Sequence, residues 1–315
     1  MYRLLTDNHN LADKKLLQDN LLQKVINELL DNDNLLTLKE IKRMFPNVDN
    51  MDNQMNQWIK KEVITRKNGK YSVCCPLISL EKWRILTDKV TSLFEEHHDF
   101  LTSYFRDASK EFSSELALTH LLLAFYENSQ VKDKPFFCLE VAQCNLLFLE
   151  LPTLYQKISG KKTQWLSFES ARLISLTIPS YFDYLNIPTT PKIKCFKEVQ
   201  ELIGDVNPTY FMTYVERKMR RLNKGKSVSS NKTDIFLEAL GLMNYVYIEN
   251  DTYHSNMPSF NSELYDRCYD WTIELSQKLD LSLPKVLYLG ILISYLNKKN
   301  MIKETSPTLY LLRDL

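Results

Sequence analysis

The chain has 315 residues, of which 40 are basic and 39 acidic, so its formal net charge is +1. That balance excludes a global electrostatic attraction to nucleic acid, and any such binding must come from local patches. Only six residues are glycine, about a quarter of the ordinary usage of roughly 7%. Glycine-dependent phosphate loops are therefore disfavoured, and the composition favours a mainly helical chain of more than one domain.

Three short helices are predicted in the first part of the chain. Apolar side chains over residues 22–29 follow the i, i+3, i+4, i+7 spacing of an amphipathic helix. Thr37 and Glu40 form a capping-box signature for a second helix. That helix ends at Pro46, because the residue before a proline is pushed out of helical geometry. A third helix is predicted to begin near Asn50.

A tight β-hairpin is predicted next. Residues 64–66 and 71–73 alternate apolar and polar side chains around Asn68-Gly69, a dipeptide that tolerates the positive φ of a two-residue turn. Three helices and a hairpin in this order are typical of the winged helix-turn-helix, which most often docks on duplex DNA. The predicted fold class is therefore mainly α (α+β overall), with an N-terminal winged helix-turn-helix and a larger, mostly helical body with a few short strands.

The third helix of such a module enters the major groove, where Asn and Gln side chains pair with adenine. The outward residues expected to read bases are Asn53, Asn56, Gln57 and Lys60. The hairpin residues expected to neutralise phosphates are Arg66, Lys67 and Lys70. Asp49, Asp52 and Glu62 place negative charges on or beside the same helix. A module that contacts protein rather than DNA therefore stays open as the alternative.

The rest of the chain is predicted to be a helical or α+β body. The predicted helices cover residues 81–106, 115–126, 197–203, 209–222, 234–243, 262–279 and 284–297, and short strands are predicted at 136–141 and 146–151. The segment 188–191, with a proline at each end, has the composition of a linker. The predicted regions are a winged-helix-like domain at 1–78, a helical or α+β middle region at 79–190 and a helical C-terminal region at 191–315. No internal repeat at a fixed period is evident.

The most basic stretch of the chain ends one of these helices. Its cations are Arg217, Lys218, Arg220, Arg221, Lys224 and Lys226. Clustered Lys and Arg can follow a phosphate backbone, which predicts a second nucleic-acid contact. The helix dipole alone also favours cations at a helix C-terminus, so a purely structural role stays open.

No catalytic, metal or cofactor motif is found. The Glu-x-x-His spacing within residues 95–99 lacks the second copy that a carboxylate metal site requires, and His120 is expected to be a hydrogen-bonded core or boundary histidine. The six cysteines show no Cys-x-x-Cys spacing, which favours free thiols in a reducing cytosol. The N-terminus lacks the apolar core of a signal peptide, and the apolar stretch at 286–296 is too short for a bilayer. We therefore expect a cytoplasmic protein that is not an enzyme and uses no cofactor, metal or membrane.

Part of the N-terminal sequence resembles an uncharacterised family of low-GC Gram-positive bacteria, a domain of unknown function with a similar helical opening and hairpin. The residues that carry the resemblance are Leu36-Thr37-Leu38-Lys39-Glu40-Ile41-Lys42-Arg43-Met44-Phe45-Pro46, Asp52-Asn53-Gln54-Met55 and Lys70-Tyr71. The resemblance implies a bacterial, cytoplasmic setting and brings no activity or binding residues. The leading hypothesis is a winged-helix DNA-binding or regulatory protein whose body serves self-association or partner docking. The alternative is a protein–protein interaction module with no nucleic-acid or catalytic role.

Overall fold

The computed structural model describes residues 1–6, 13, 16, 17, 19–129, 136–140, 150–170, 175–186, 194–279, 283–302, 306 and 308–315. The helices in this part of the chain are α1 (Asn20–Asp31), α2 (Leu38–Met44), α3 (Met51–Lys60), α4 (Leu80–Glu96), α5 (His98–Ala108), α6 (Ser114–Asn128), α7 (Ile178–Leu185), α8 (Lys194–Ile203), α9 (Pro208–Asn223), α10 (Ile235–Leu242), α11 (Ser262–Lys278) and α12 (Lys285–Lys298). The strands are β1 (Tyr2–Leu5), β2 (Leu36–Thr37), β3 (Ile64–Lys67), β4 (Lys70–Val73), β5 (Leu77–Ile78), β6 (Phe137–Glu140), β7 (Pro152–Ser159), β8 (Thr163–Ser170), β9 (Val228–Ser229), β10 (Val246–Glu249), β11 (Thr252–Ser255) and β12 (Thr308–Asp314). Helix predominates and the sheets are small, so the protein is mainly helical and α+β overall.

The described strands form small three-stranded sheets rather than one large sheet. Their strand orders are β1-β6-β5, β2-β4-β3, β10-β11-β9 and β12-β8-β7. In the last of these, β12 runs antiparallel to β8 from Thr308, opposite Glu169, to Asp314, opposite Thr163. The C-terminal strand is therefore held beside the β7–β8 hairpin, far from it in sequence.

The three helices and the hairpin predicted near the N-terminus are present. Thr37 and Glu40 make both hydrogen bonds of the capping box that begins α2. Asn50 precedes α3 with a φ of 56°, and the hairpin turn is made by Asn68 and Gly69 with φ of 52° and 76°. The apolar face of α1 is buried with that of α3 and with hairpin residues in one core cluster.

The described apolar side chains group into three core clusters. One includes residues of α1–α3 and the first hairpin. A second joins α4–α6 to α11 and α12, and includes Phe125 and Leu292. A third joins Trp165 of β8 to α7–α10 and to Leu312 of β12. Both larger clusters draw residues from before and after residue 190, and the division into 1–78, 79–190 and 191–315 stays a prediction.

Part of the prediction for the body lies outside the described residues, and part of it differs from the structure. The predicted strand at 146–151 and the predicted linker at 188–191 fall mainly or wholly outside the described residues, and β7 begins at Pro152. The prediction for residues 191–315 named only helices, whereas the structure adds the hairpin β10–β11 and the strand β12. That hairpin turns through Asn250 and Asp251, both at positive φ, and this pair is a weaker turn signal than Asn-Gly.

The hairpin β10–β11 belongs to a unit that repeats the N-terminal arrangement. The first hairpin unit is residues 20–73, and the second hairpin unit is residues 208–255. In the first, the Val63 N–H donates to Trp58 O at 3.1 Å, and in the second the Tyr245 N–H donates to Leu240 O at 2.9 Å. Val63 follows Trp58 by the same number of residues as Tyr245 follows Leu240. The second unit has no helix between its short strand β9 and α10, and α8, which precedes this unit in the chain, packs against α10.

Strand pairing in the two units also agrees residue by residue. Each unit has a hairpin of two four-residue strands, and each adds a two-residue strand to the second strand of the hairpin. The equivalent register pairs are Ile64↔Val73 with Val246↔Ser255, and Leu36↔Tyr71 with Val228↔Tyr253. Every residue of the first hairpin therefore has an equivalent position in the second hairpin.

Candidate nucleic-acid interface

The predicted base-reading residues lie together on the exposed face of α3. Their positions follow the helical spacing opposite the buried side chains of Met51, Met55 and Trp58. The exposed residues are Asn53, Asn56, Gln57 and Lys60. Because their side chains point away from the core, their amide and ammonium groups are free to form hydrogen bonds with a partner outside the molecule.

The acidic residue nearest this face is neutralised within the protein. Lys42 Nζ of α2 lies 2.5 Å from Asp52 Oδ2 at the start of α3. The hydrogen bond from Lys42 lowers the pKa of the Asp52 carboxyl, and the charges of Lys42 and Arg66 act in the same direction. Asp49 and Glu62 are both exposed beside the helix. The negative charge that argues against DNA is therefore smaller at Asp52 than the sequence alone indicates.

The tip of the first hairpin concentrates positive charge. Lys67 and Lys70 face each other across the strand pair, one on each side of the turn, and both are exposed. Arg66, also exposed, lies with its guanidinium carbon 5.4 Å from the centre of the Tyr71 ring. Like charges directly opposite one another destabilise a strand pair, so a bound anion would relieve this repulsion.

The equivalent positions of the second hairpin unit carry different chemistry. Arg66, Lys67 and Lys70 correspond through the register to Ile248, Glu249 and Thr252. By the same equivalence, Asn53, Asn56, Gln57 and Lys60 of α3 correspond to positions of α10 of which Ala239 is buried and Glu238 half-buried; the α10 residues are Ile235, Glu238, Ala239 and Leu242. The second unit exposes apolar surface, with Ile248 56% exposed and Leu242 44% exposed. At these hairpin and helix positions, cations are therefore present in the first unit and absent from the second.

The second predicted basic segment lies on α9 and divides between two faces. Lys218 Nζ lies 3.2 Å from Asp234 Oδ2 and 5.5 Å from the centre of the Tyr214 ring. The remaining predicted cations of this segment line a groove together with Lys161 and Lys162 of the β7–β8 turn; they are Arg217, Arg220, Arg221, Lys224 and Lys226. Sequence reasoning missed the two lysines, because only the tertiary fold brings the turn to α9.

Comparison with known protein families finds one match. Residues 3–117 match the model of a domain of unknown function, DUF1803. The match confirms the resemblance to an uncharacterised domain and extends it beyond the first hairpin unit into α6. No curated protein and no solved structure matches the chain.

The matched residues 3–117 include the α3 face and the first hairpin, while α9 and the lysines of the β7–β8 turn lie outside the match. Among the described residues, no group of three or more His, Cys, Asp or Glu side chains is placed to hold a metal ion. Every helix in the described ranges is too short or too polar to cross a membrane.

His120 is a buried histidine whose pKa is lowered in the folded protein. Its Nδ1 lies 2.8 Å from Leu116 O, and its Nε2 accepts the Asn261 N–H at 2.9 Å. Burial, together with the nearby charge of Arg313, lowers the pKa of its imidazole to about 4. Both ring nitrogens are engaged within the core, which confirms the expected hydrogen-bonded core histidine.

Proposed function

We propose that residues 20–73 form a winged helix that binds duplex DNA, with α3 in the major groove and the β3–β4 hairpin against the phosphate backbone. The order helix, strand, two helices, hairpin supports this assignment. Asn53, Asn56, Gln57 and Lys60 would contact base edges. Arg66, Lys67 and Lys70 would contact phosphates. A regulatory, non-enzymatic role in a bacterial cytoplasm accompanies the proposal.

The strongest support for the proposal is the pair of cations at the tip of the first hairpin. Lys67 and Lys70 are register partners at the exposed tip of the hairpin, an arrangement that is unfavourable in the free protein and favourable beside an anion. The second hairpin unit has Glu249 and Thr252 at the same positions. The shared backbone arrangement therefore does not by itself require cations there, and a partner of negative charge accounts for them.

A protein-binding role is the second candidate function, and the second hairpin unit favours it. Its hairpin and helix α10 expose Ile235, Leu242, Tyr247 and Ile248, each at least 41% exposed. Exposed apolar residues close together are typical of protein contacts. If the first unit binds DNA and the second binds a partner protein, the chain would have the regulatory, non-enzymatic role proposed above.

The test is a fluorescence-anisotropy titration of the full chain with a labelled AT-rich duplex at two salt concentrations. We expect a dissociation constant of about 1 to 100 µM near physiological salt, with the affinity falling as salt rises. The double variant Lys67→Glu/Lys70→Glu should bind much more weakly, and the salt dependence of its remaining affinity should be shallower by about two phosphate contacts.

A matched control separates a local contact from net charge. Lys82→Glu/Lys89→Glu makes the same charge change at exposed positions of α4, and its affinity should stay within about twofold of the wild type if only local cations contact the DNA. Equal losses in the two double variants, or no binding by the wild type at low salt, would count against the hairpin contact.

Base reading by α3 needs its own comparison. Asn56→Ala/Gln57→Ala removes amide groups without changing charge, so the salt dependence should be retained. The preference for a selected target duplex over a random one should fall by about tenfold, since a good bidentate pair contributes about 1 to 3 kcal/mol of discrimination. Unchanged preference would place the α3 face outside the major groove.

A further inference from the structure

The groove on α9 is built around a buried carboxylate. Glu216 is 6% exposed, and its Oε1 accepts the Lys162 N–H at 2.6 Å and the Thr163 hydroxyl at 3.0 Å. Its Oε2 accepts the Lys161 N–H at 3.3 Å. One side chain of α9 thereby holds the backbone of the β7–β8 turn in place.

Further contacts hold the β7–β8 turn against Glu216. The Trp165 indole N–H donates to Thr163 Oγ1 at 3.1 Å, so the hydroxyl that donates to Glu216 is itself held. A Cβ added at Gly160 would lie 2.5 Å from Glu216 Oε1, which leaves room only for glycine in the observed arrangement. The backbone N–H of Leu315 donates to Lys162 O at 2.8 Å. Contacts with Glu216, Trp165 and Leu315 therefore hold the turn and the start of β8 in place.

The fixed turn presents its side chains to a recess rich in cations. The groove measures about 380 Å³, and its lining residues are Lys161, Lys162, Glu216, Arg217, Arg220, Arg221, Lys224 and Lys226. Glu216 accepts its hydrogen bonds from the turn, and its single negative charge is outnumbered by the seven cations that line the groove. Arg220 Nε, which is buried without a hydrogen bond among the described residues, has an ion pair to Asp314 at 3.4 Å.

We propose that this groove binds the phosphate chain of a small polyphosphate, either free or as part of a nucleotide. Several cations held around one recess repel one another, and an anion of high charge density relieves that repulsion. Arginine forks and lysine ammonium groups are the usual protein partners of phosphate oxygens. The recess is of the size of small-ligand sites. The inference uses no residue of the first hairpin unit and does not rest on the proposed DNA contact.

The test is isothermal titration of the full chain with inorganic triphosphate at low salt. We expect saturable binding by the wild type and a loss of about tenfold or more in Lys161→Ala/Lys162→Ala, because each charged contact to phosphate contributes on the order of a tenfold factor. Lys218→Ala is the matched control, since this lysine lies on the same helix but pairs with Asp234. Its affinity should stay within about twofold of the wild type.

A second variant protects the test against a folding defect. Arg221→Gln/Lys224→Gln removes two groove cations at exposed positions, and it should weaken triphosphate binding while the thermal unfolding midpoint stays close to that of the wild type. Nucleoside triphosphate provides the arm that distinguishes the sources. Equal affinity for the two ligands indicates recognition of the phosphate chain alone, and tighter nucleotide binding indicates that the base or sugar also contacts the protein.

Three results would overturn the proposal. The first is no triphosphate binding at millimolar concentration. The second is an equal loss of affinity in Lys218→Ala and in the groove variants. The third is a groove variant that loses duplex DNA but keeps triphosphate, which would make the groove a nucleic-acid contact. If the hairpin variants did not affect DNA binding, the expected triphosphate binding would be unchanged. Each of the two proposals can therefore be refuted without the other.

Discussion

Protonation of His120 should couple the stability of the core to pH. The side chain is fully buried, and its pKa falls from 6.5 to about 4 in the folded chain, chiefly because burial disfavours the charged form. The unfolded chain therefore binds a proton at higher pH than the folded chain does. The stabilisation is present above pH 6.5 and is lost as the pH falls toward 4. A shift of this size corresponds to about 3 kcal/mol of unfolding free energy.

Chemical denaturation at a series of pH values measures this contribution. In His120→Gln the titrating group is absent, so its unfolding free energy should fall by about 2 to 3 kcal/mol less than that of the wild type between pH 7.5 and 4.5. Thr119→Val is the matched control. Thr119 is buried on the same helix and donates to Glu115 O at 2.7 Å, so its loss should shift the curve without altering its slope. Parallel curves for the wild type and His120→Gln would refute the reasoning.

Two further substitutions test the groove and the α3 face. Gly160→Ala places a Cβ 2.5 Å from Glu216 Oε1, so the turn or the carboxylate must move, and urea unfolding should show a loss of about 1 to 3 kcal/mol; an unchanged midpoint would show that the turn is not held by Glu216. Asp52→Asn removes a negative charge beside the α3 face and should raise duplex affinity by about two- to threefold at low salt, measured by anisotropy. Weaker binding in that variant would indicate that the Lys42 contact to Asp52 positions the face rather than neutralising it.

Local signals in the sequence predict the N-terminal elements well. The capping box of Thr37 and Glu40 acts over three residues, and the Asn68-Gly69 turn acts over two. Both depend on backbone preferences that a short peptide already has. The α3 face follows from the same kind of information, because the spacing of Met51, Met55 and Trp58 determines which side of the helix is buried. Exposure of the predicted DNA-contacting residues on α3 and the hairpin was accordingly predictable.

The second hairpin unit was not predictable by the same means. Its turn uses Asn250 and Asp251 in place of Asn-Gly, and its strand β9 has two residues, too few for a period to be read. The two units are equivalent in the hydrogen-bond register of their strands. Because the side chains at equivalent positions differ, this equivalence leaves no repeating pattern in the sequence. Different exposed side chains on one backbone arrangement keep the sequences apart, as Lys67 and Glu249 illustrate.

Local sequence signals account for the helical character of the chain, for the N-terminal helices and hairpin, and for the presence of a basic segment on α9. Which of its cations act together follows from the tertiary structure. Lys161 and Lys162 join Arg221 because Glu216, more than fifty residues away along the chain, accepts their backbone N–H groups, while Lys218 turns to Asp234. Helix and turn preferences arise from neighbouring residues, whereas a groove arises from the packing of segments distant in the chain.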